Sequence, residues 1–281
     1  MFSAFTLPAL VVAVLAFGFG VVIGSFLNVV IYRLHTGRSL QGRSHCLSCG
    51  VTLEWYDLLP LVSYVVLRRR CRACESIISG RYFWVELLTG LLFVGTIWVA
   101  SSWFALLLFW LVSAVLVVVV VYDYYHLIIP DRLVLWLLGL AVVWLAYQWW
   151  LEVAWLHLGY DVLAALGGAG VYAMLWLVSK GQWLGLGDAK LALPLGLLLG
   201  YEHIFSLLVY SFWIGAAISV LLIGYQKIRR RGQPHLRFLQ QPLTIKSEVP
   251  FAPFLVLSFL VIYFFGIDAL ELTELLLHST L

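Results

Sequence analysis

A chain of 281 residues with 63% hydrophobic and only 11% charged side chains departs from soluble domains, which carry about 25% charged and about 45–50% apolar residues. Its formal charge of +3 does not point to nucleic acid, which calls for a basic face with groove-reading or aromatic elements. The composition leaves an all-α, polytopic integral membrane protein.

A bilayer core of about 30 Å needs about 20 apolar residues per helix. About eight transmembrane stretches are expected, centred near residues 20, 92, 112, 141, 171, 197, 214 and 259. Some are short, and the ends of the sixth and eighth are the least sharply marked. No Lys or Arg precedes Arg33 and no small-residue cleavage pattern follows the first stretch, so it reads as a retained anchor and not a removed signal peptide. With the start outside and eight crossings, segments 32–82, 123–132, 179–190 and 227–249 are cytoplasmic. All 17 Lys and Arg then fall inside, which is the sense of the positive-inside bias. Glu152, Asp161, Glu202, Asp268, Glu271 and Glu274 fall on the other side.

The chain is accordingly expected to divide into a first transmembrane helix (1–31), a cytoplasmic insertion (32–82), a membrane-embedded core (83–268) and a C-terminal tail (269–281). The basic, Pro-interrupted stretch 227–249 reads as a solvated loop held near anionic lipid. Tryptophan-rich runs such as "WLAYQWWLEVAW" read as interfacial belts. No internal repeat or low-complexity tract is evident.

The insertion carries "CLSC", Cys46 and Cys49, then "CRAC", Cys71 and Cys74. Two C-x-x-C knuckles at this separation supply four thiolates for a closed, structural zinc site, with redox-active pairs as the competing reading. A reducing cytosol argues against structural disulfides. About fifty residues hold too little core to fold alone, so a metal that contributes folding free energy is physically sensible.

Two aspartates lie at the membrane edge. The third stretch ends in "VYDYYHLIIPD", delivering Asp123, and the fifth leads into "GLGDAK", delivering Asp188 to the same face. Either alone could terminate a helix. Gly185 and Gly187 loosen the backbone before Asp188, and Pro130 with Asp131 marks the start of the fourth stretch, Asp131 as its cap. Carboxylates about 4 Å apart at an effective dielectric of about 20 repel by about 4 kcal/mol, enough to keep one protonated at neutral pH. The ionised member can activate water while the protonated one polarises an amide carbonyl, the chemistry of an aspartic peptidase. His126 reads as a solvated interfacial histidine or as a group that tunes Asp123, and Lys190 is placed to meet lipid phosphate or mark a helix start. Asn28 and Ser25 suit inter-helix hydrogen bonds, and Gly24 close packing.

These residues resemble the type IV prepilin peptidases. The likeness rests on "GSFLNVVIYRL" (Gly24–Leu34), both cysteine pairs, "WYDLLPLVSY" (Trp55–Tyr64), "RYFWVELLTG" (Arg81–Gly90), the Ile129–Pro130 that follows Asp123, and "GLGDAK" (Gly185–Lys190). The resemblance implies that Asp123 and Asp188 form a catalytic dyad in the bacterial inner membrane, with the active site facing the cytoplasm. It implies as partners the lipid bilayer and prepilin or pseudopilin substrates with a basic leader and an apolar helix. It also implies N-methylation of the new N-terminus from S-adenosylmethionine, assigned to the cytoplasmic insertion. There the chain departs from the usual pattern, reading "HTGRSLQGRSHC" where a longer segment with proline is customary. The rival expectations are a presenilin-like protease, which shares the "G-x-G-D" pattern, a transporter with midplane acids, and a non-enzymatic scaffold with a zinc module.

Overall fold

The computed structural model describes residues 9–37, 39, 41–151, 155–229 and 249–269. Glu152, Glu271, Glu274, nearly all of the basic stretch 227–249 and nearly all of the tail 269–281 lie outside the described residues. Nine α-helices are described: α1 (Ala9–Thr36), α2 (Val62–Val66), α3 (Arg81–Val99), α4 (Trp103–His126), α5 (Asp131–Trp150), α6 (Trp155–Ser179), α7 (Leu186–Leu199), α8 (Ile204–Arg229) and α9 (Ala252–Phe265). Among the described residues no strand forms beyond two isolated bridges. The chain separates into two compact units, Met1–Tyr122 and Asp123–Leu281, so the last turn of α4 belongs to the second.

In the first unit α1 lies along α3. Glycines set the approach: a Cβ added at Gly20 would stand 2.9 Å from Gly90 Cα, and one at Gly24 2.7 Å from Glu86 Cα. Small residues let membrane helices come this close, and the gain is packing, because lipid tails are as apolar as leucine. Asn28 Nδ2 donates to the Tyr82 carbonyl at 3.1 Å, joining the same two helices. Trp110 of α4 stacks on Phe93 with ring centroids 4.8 Å apart, and its Nε1 donates to the Phe93 carbonyl at 3.0 Å.

In the second unit α7 is the central helix, packed by α5, α6 and α9. It is apolar nearly all round, and Asp188, Leu191, Leu195 and Leu198 are all buried, as expected of a helix enclosed by others. Gly196 admits α6 and the start of α8; a Cβ there would meet Ile204 Cδ1 at 2.7 Å and Ala165 Cβ at 3.1 Å.

Six helices, α1, α3, α4, α5, α6 and α8, are long and apolar enough to cross a membrane. The sixth and eighth expected stretches form α7 and α9, each of 14 residues, or about 21 Å at 1.5 Å per residue. Six of the eight expected spans are therefore full-length helices among the described residues, and the count of eight is not reached, because the other two are short. Hydropathy alone does not see why. Glycine ends both: Gly200 at φ 87° after α7 and Gly266 at φ 60° after α9, conformations that cost a residue with a Cβ. Pro253 sits in the first turn of α9 and fixes its start.

Gly24→Leu should lower the thermal midpoint of the detergent-solubilised protein by an amount corresponding to an overpacking cost of about 1–3 kcal/mol. Gly18→Leu, at a position with nothing within 4 Å, should leave the midpoint unchanged.

Candidate active site and metal centre

Asp123 lies in the last turn of α4. The helix stops at Leu127, which adopts φ 54° and donates its amide to the Asp123 carbonyl at 2.8 Å. The chain then runs through Ile128 and Ile129 to Pro130, whose φ −64° and ψ 126° place it just before α5. Asp188 is the third residue of α7, and its Oδ2 accepts the Gly185 N–H at 3.1 Å. Both side chains are buried, at 5% and 6% exposure, and Asp188 lies within reach of the charge of Asp123. Asp123 accepts the amide of Ala252, the first residue of α9, while its Oδ2 is buried without a partner. Each carboxylate thus rests on a main-chain N–H at the start of a helix, where negative charge is favoured. Asp123 keeps an uncommitted oxygen.

The loop after α4 is seated on the first turn of α7. A Cβ on Gly187 would lie 3.1 Å from Ile129 Cβ, so a side chain there would push the loop away. Lys190 Nζ stands 2.7 Å from Asp131 Oδ1. Asp131, expected as the cap of α5, is its first residue, and Pro130 takes the cap position; the Asp131 carboxylate is engaged by Lys190, which stands near the start of α7. His126 is half-buried as the last residue of α4.

Sequence reasoning missed two features. Ala252 contributes through its backbone, which leaves no side-chain signal. Tyr172 of α6 is fully buried, with its hydroxyl 2.7 Å from Ser211 Oγ of α8. Ser211 gives its proton to the Leu208 carbonyl at 2.8 Å, so the phenol donates to Ser211. Tyr172 also interacts electrostatically with Asp188, and its ring lies 6.0 Å from that of Phe251, just before Ala252. A hydroxyl deep in an apolar helix was the available cue.

In the first unit all four cysteine sulfurs lie within 4.8 Å of one another, with Cys46 and Cys74 Sγ 3.9 Å apart. Four sulfurs placed about 2.3 Å from a tetrahedral ion would be separated by about 3.8 Å, so the cluster could hold a metal such as zinc. The two knuckles share one build. Cys46 N–H donates to Val51 O and Gly50 N–H to Cys46 O, both at 2.9 Å, and Cys71 N–H to Ser76 O and Glu75 N–H to Cys71 O, again at 2.9 Å. Bridges His45–Thr52 and Arg70–Ile77 close the two turns alike. The repeat is one of backbone, which is why the residues do not announce it. Amides of Cys49 and Ser48 aimed at Cys46 Sγ lower that thiol to about 6, and the Ser76 hydroxyl, 3.1 Å from Cys74 Sγ, lowers Cys74 as well. Both effects favour the thiolates that a metal requires, while the Cys49 thiol, although the Val51 amide lowers it, is pushed up to about 11 by desolvation and by the neighbouring Cys74 and Cys46, the last a repulsion that a cation among the four sulfurs would offset.

Beside the knuckles is a cavity of about 990 Å³, lined by Asn28, Arg33, Asp57, Tyr64, Tyr82 and Glu86 among others. Arg33 donates to the carbonyls of Ser39 at 2.9 Å, Gln41 at 2.8 Å and Gly42 at 3.3 Å, folding the chain back after α1. Glu86 accepts the Leu61 N–H at 2.8 Å. Leu61 needs that anchor, because it sits at φ 59° in a turn closed by Val62 N–H to Pro60 O at 2.6 Å, a strained arrangement for a branched residue.

The family model described as "Bacterial Peptidase A24 N-terminal domain" matches residues 19–100, and that described as "Type IV leader peptidase family" matches residues 110–220. A curated relative from Myxococcus xanthus, named prepilin leader peptidase/N-methyltransferase, is 36% identical over 223 residues, covering 75% of this chain and 63% of the relative. Relatives of the same name from Aeromonas hydrophila and Legionella pneumophila are 31% and 30% identical, covering 87% and 88% of this chain and 87% and 89% of their own. No solved structure matches significantly.

Proposed function

Because the chain belongs to the type IV leader peptidase family, we propose that it is a membrane aspartic endopeptidase that removes the basic leader from type IV prepilins or type II secretion pseudopilins. Asp123 and Asp188 form the dyad. One observation carries the assignment: two buried carboxylates from separate helices come close enough for Asp188 to feel the charge of Asp123, each with an oxygen held by a main-chain amide. Such a pair shares a proton, because two adjacent charges repel in an apolar site. The ionised member takes a proton from water as that water attacks the scissile carbonyl. The protonated member donates its proton to the carbonyl oxygen; as the C–N bond breaks, the proton taken from water passes to the leaving amine, and the donor carboxylate recovers a proton from the gem-diol hydroxyl.

Both acids sit within a turn of a helix end, which favours a cut at the membrane boundary over cutting deep in the bilayer, and over the midplane acids of a transporter. The substrate's apolar helix lies in the bilayer beside the enzyme, which resides in the bacterial inner membrane. The basic leader, and with it the active site, is on the cytoplasmic side, where the lysines and arginines of the chain fall.

The metal of the four-cysteine cluster is zinc in a structural role, since four thiolates leave no open position for water. The cavity suits S-adenosylmethionine, whose charged amino-acid end matches the polar lining of Arg33, Asn28, Asp57 and Glu86, with Tyr64 and Tyr82 available to the adenine. When bound, that cofactor supplies a methyl group for the amine exposed by cleavage. Glu86 and Asp57 would hold that amine in place by charge.

Asp123→Asn and Asp188→Asn should each lower cleavage of a prepilin peptide by at least about 10²–10⁴-fold while leaving expression and membrane insertion intact; retained cleavage in both would end the proposal. Metal analysis should find about one zinc per chain, lost in the Cys46→Ser/Cys71→Ser variant together with the fold of the insertion. Product masses read with and without S-adenosylmethionine should differ by one methyl group, and Glu86→Gln should reduce the methylated fraction without reducing cleavage.

A further inference from the structure

The insertion of the first unit presents an apolar face that the dyad does not use. Around α2, Leu61 and Tyr64 turn inward: Leu61 N–H is bound by Glu86, and the Tyr64 ring lies 5.4 Å from that of Phe83. Trp55, Leu59, Val62, Val65 and Val66 remain between 42% and 73% exposed. In a water-facing knuckle these would form a costly patch.

The level of this patch in the membrane is fixed by α3. That helix has 19 residues and is a membrane span, about 28 Å long at 1.5 Å per residue, so its whole length is needed to cross a core of about 30 Å. Glu86 is five residues in from Arg81, about 7.5 Å along the axis. The Leu61 amide it binds, and Val62 beside it, therefore sit at the depth where amphipathic segments bury their apolar side, about 5–10 Å into the headgroup boundary. Both ends of the insertion are tied to spans α1 and α3, so it has no freedom to lift away.

The charges agree. Arg70 and Arg72 are engaged by Glu75 at 3.8 Å and Asp57 at 2.9 Å. Arg68 and Arg69, exposed, have no ion-pair partner among the described residues. They occupy consecutive left-handed positions at φ 47° and 64°, a backbone that residues with a Cβ hold only when their surroundings impose it. Here Arg69 N–H is bonded to Tyr64 O at 3.0 Å and Ile78 N–H to Arg69 O at 2.7 Å. Tryptophan and valine with unpaired arginines alongside is the composition of a segment lying in the interface.

We propose that the face formed by Trp55, Leu59, Val62, Val65 and Val66 is embedded in the headgroup boundary of the bilayer, with Arg68 and Arg69 binding the phosphates of anionic lipids. The proposal is independent of the peptidase assignment. The test places the photo-crosslinker p-benzoylphenylalanine at Val66 in the full chain, in nanodiscs of phosphatidylcholine and phosphatidylglycerol, with Leu88 of α3 as the lipid-facing reference. Val66 should form lipid adducts as Leu88 does, enriched in phosphatidylglycerol over the bulk mixture. Titrating phosphatidylglycerol into phosphatidylcholine nanodiscs should show apparent affinity falling about fivefold for each of Arg68→Gln and Arg69→Gln. The same label at Val62 serves if the Val66 variant misfolds, with folding read by circular dichroism. Adducts to protein alone, or no lipid adduct while Leu88 gives one, would overturn the proposal, as would unchanged phosphatidylglycerol affinity in both arginine variants.

Discussion

Two like charges in an apolar setting have to be held together against their own repulsion, and the second unit is arranged around that requirement. The attractive terms are modest: one amide from Gly185 on Asp188 and one from Ala252 on Asp123, each at a helix start where the aligned peptide dipoles favour an anion by about 0.3–1 kcal/mol, and more when partly buried. What fixes the geometry is packing. Gly187 accepts Ile129 against the backbone, and Lys190 joins Asp131 across the same gap. That ion pair is exposed and contributes at most about 1 kcal/mol. Its value lies in register, because it ties the segment following Asp123 to the helix that bears Asp188.

The first unit meets a different difficulty. Its insertion has too few apolar side chains for a core of its own, so order comes from point attachments. These are the four sulfurs, the three carbonyls gathered by Arg33, and the Glu86 carboxylate on Leu61. Such attachments enclose space that a close-packed core would fill, and a cavity of about 990 Å³ is the result. Stapling and cavity are in this sense one feature.

Much of this was legible in the sequence where side-chain identity carries the signal. Apolar runs gave the long helices, C-x-x-C spacing gave the cluster, and glycines before Asp188 with Ile-Pro-Asp after Asp123 marked the two acids. What escaped has a common physical cause. The Ala252 donor is an amide, the shared form of the two knuckles is a hydrogen-bond pattern with Gly50 in one and Glu75 in the other, and Lys190 and Asp131 are 59 residues apart. Backbone groups and long-range pairs leave no local trace. The Tyr172–Ser211 bond spans two helices in the same way, so each hydroxyl read singly looked like an isolated polar residue in a membrane segment.

The short α7 has a consequence for chemistry. At about 21 Å it falls about 9 Å short of the hydrocarbon thickness. At its C-terminal end Gly200 is followed at once by Tyr201, where the full-length apolar helix 201–225 begins. Asp161 secures that end by accepting the Tyr201 amide at 2.7 Å. Asp188 stands at the other end, in the first turn of α7, beside the exposed Lys190–Asp131 pair. A helix that stops short leaves the bilayer locally thin or open to water, and hydrolysis needs water beside the carboxylates. With so little helix before it, Asp188 stays within reach of that water, so a short central helix and the carboxylate proposed to act at its tip belong together.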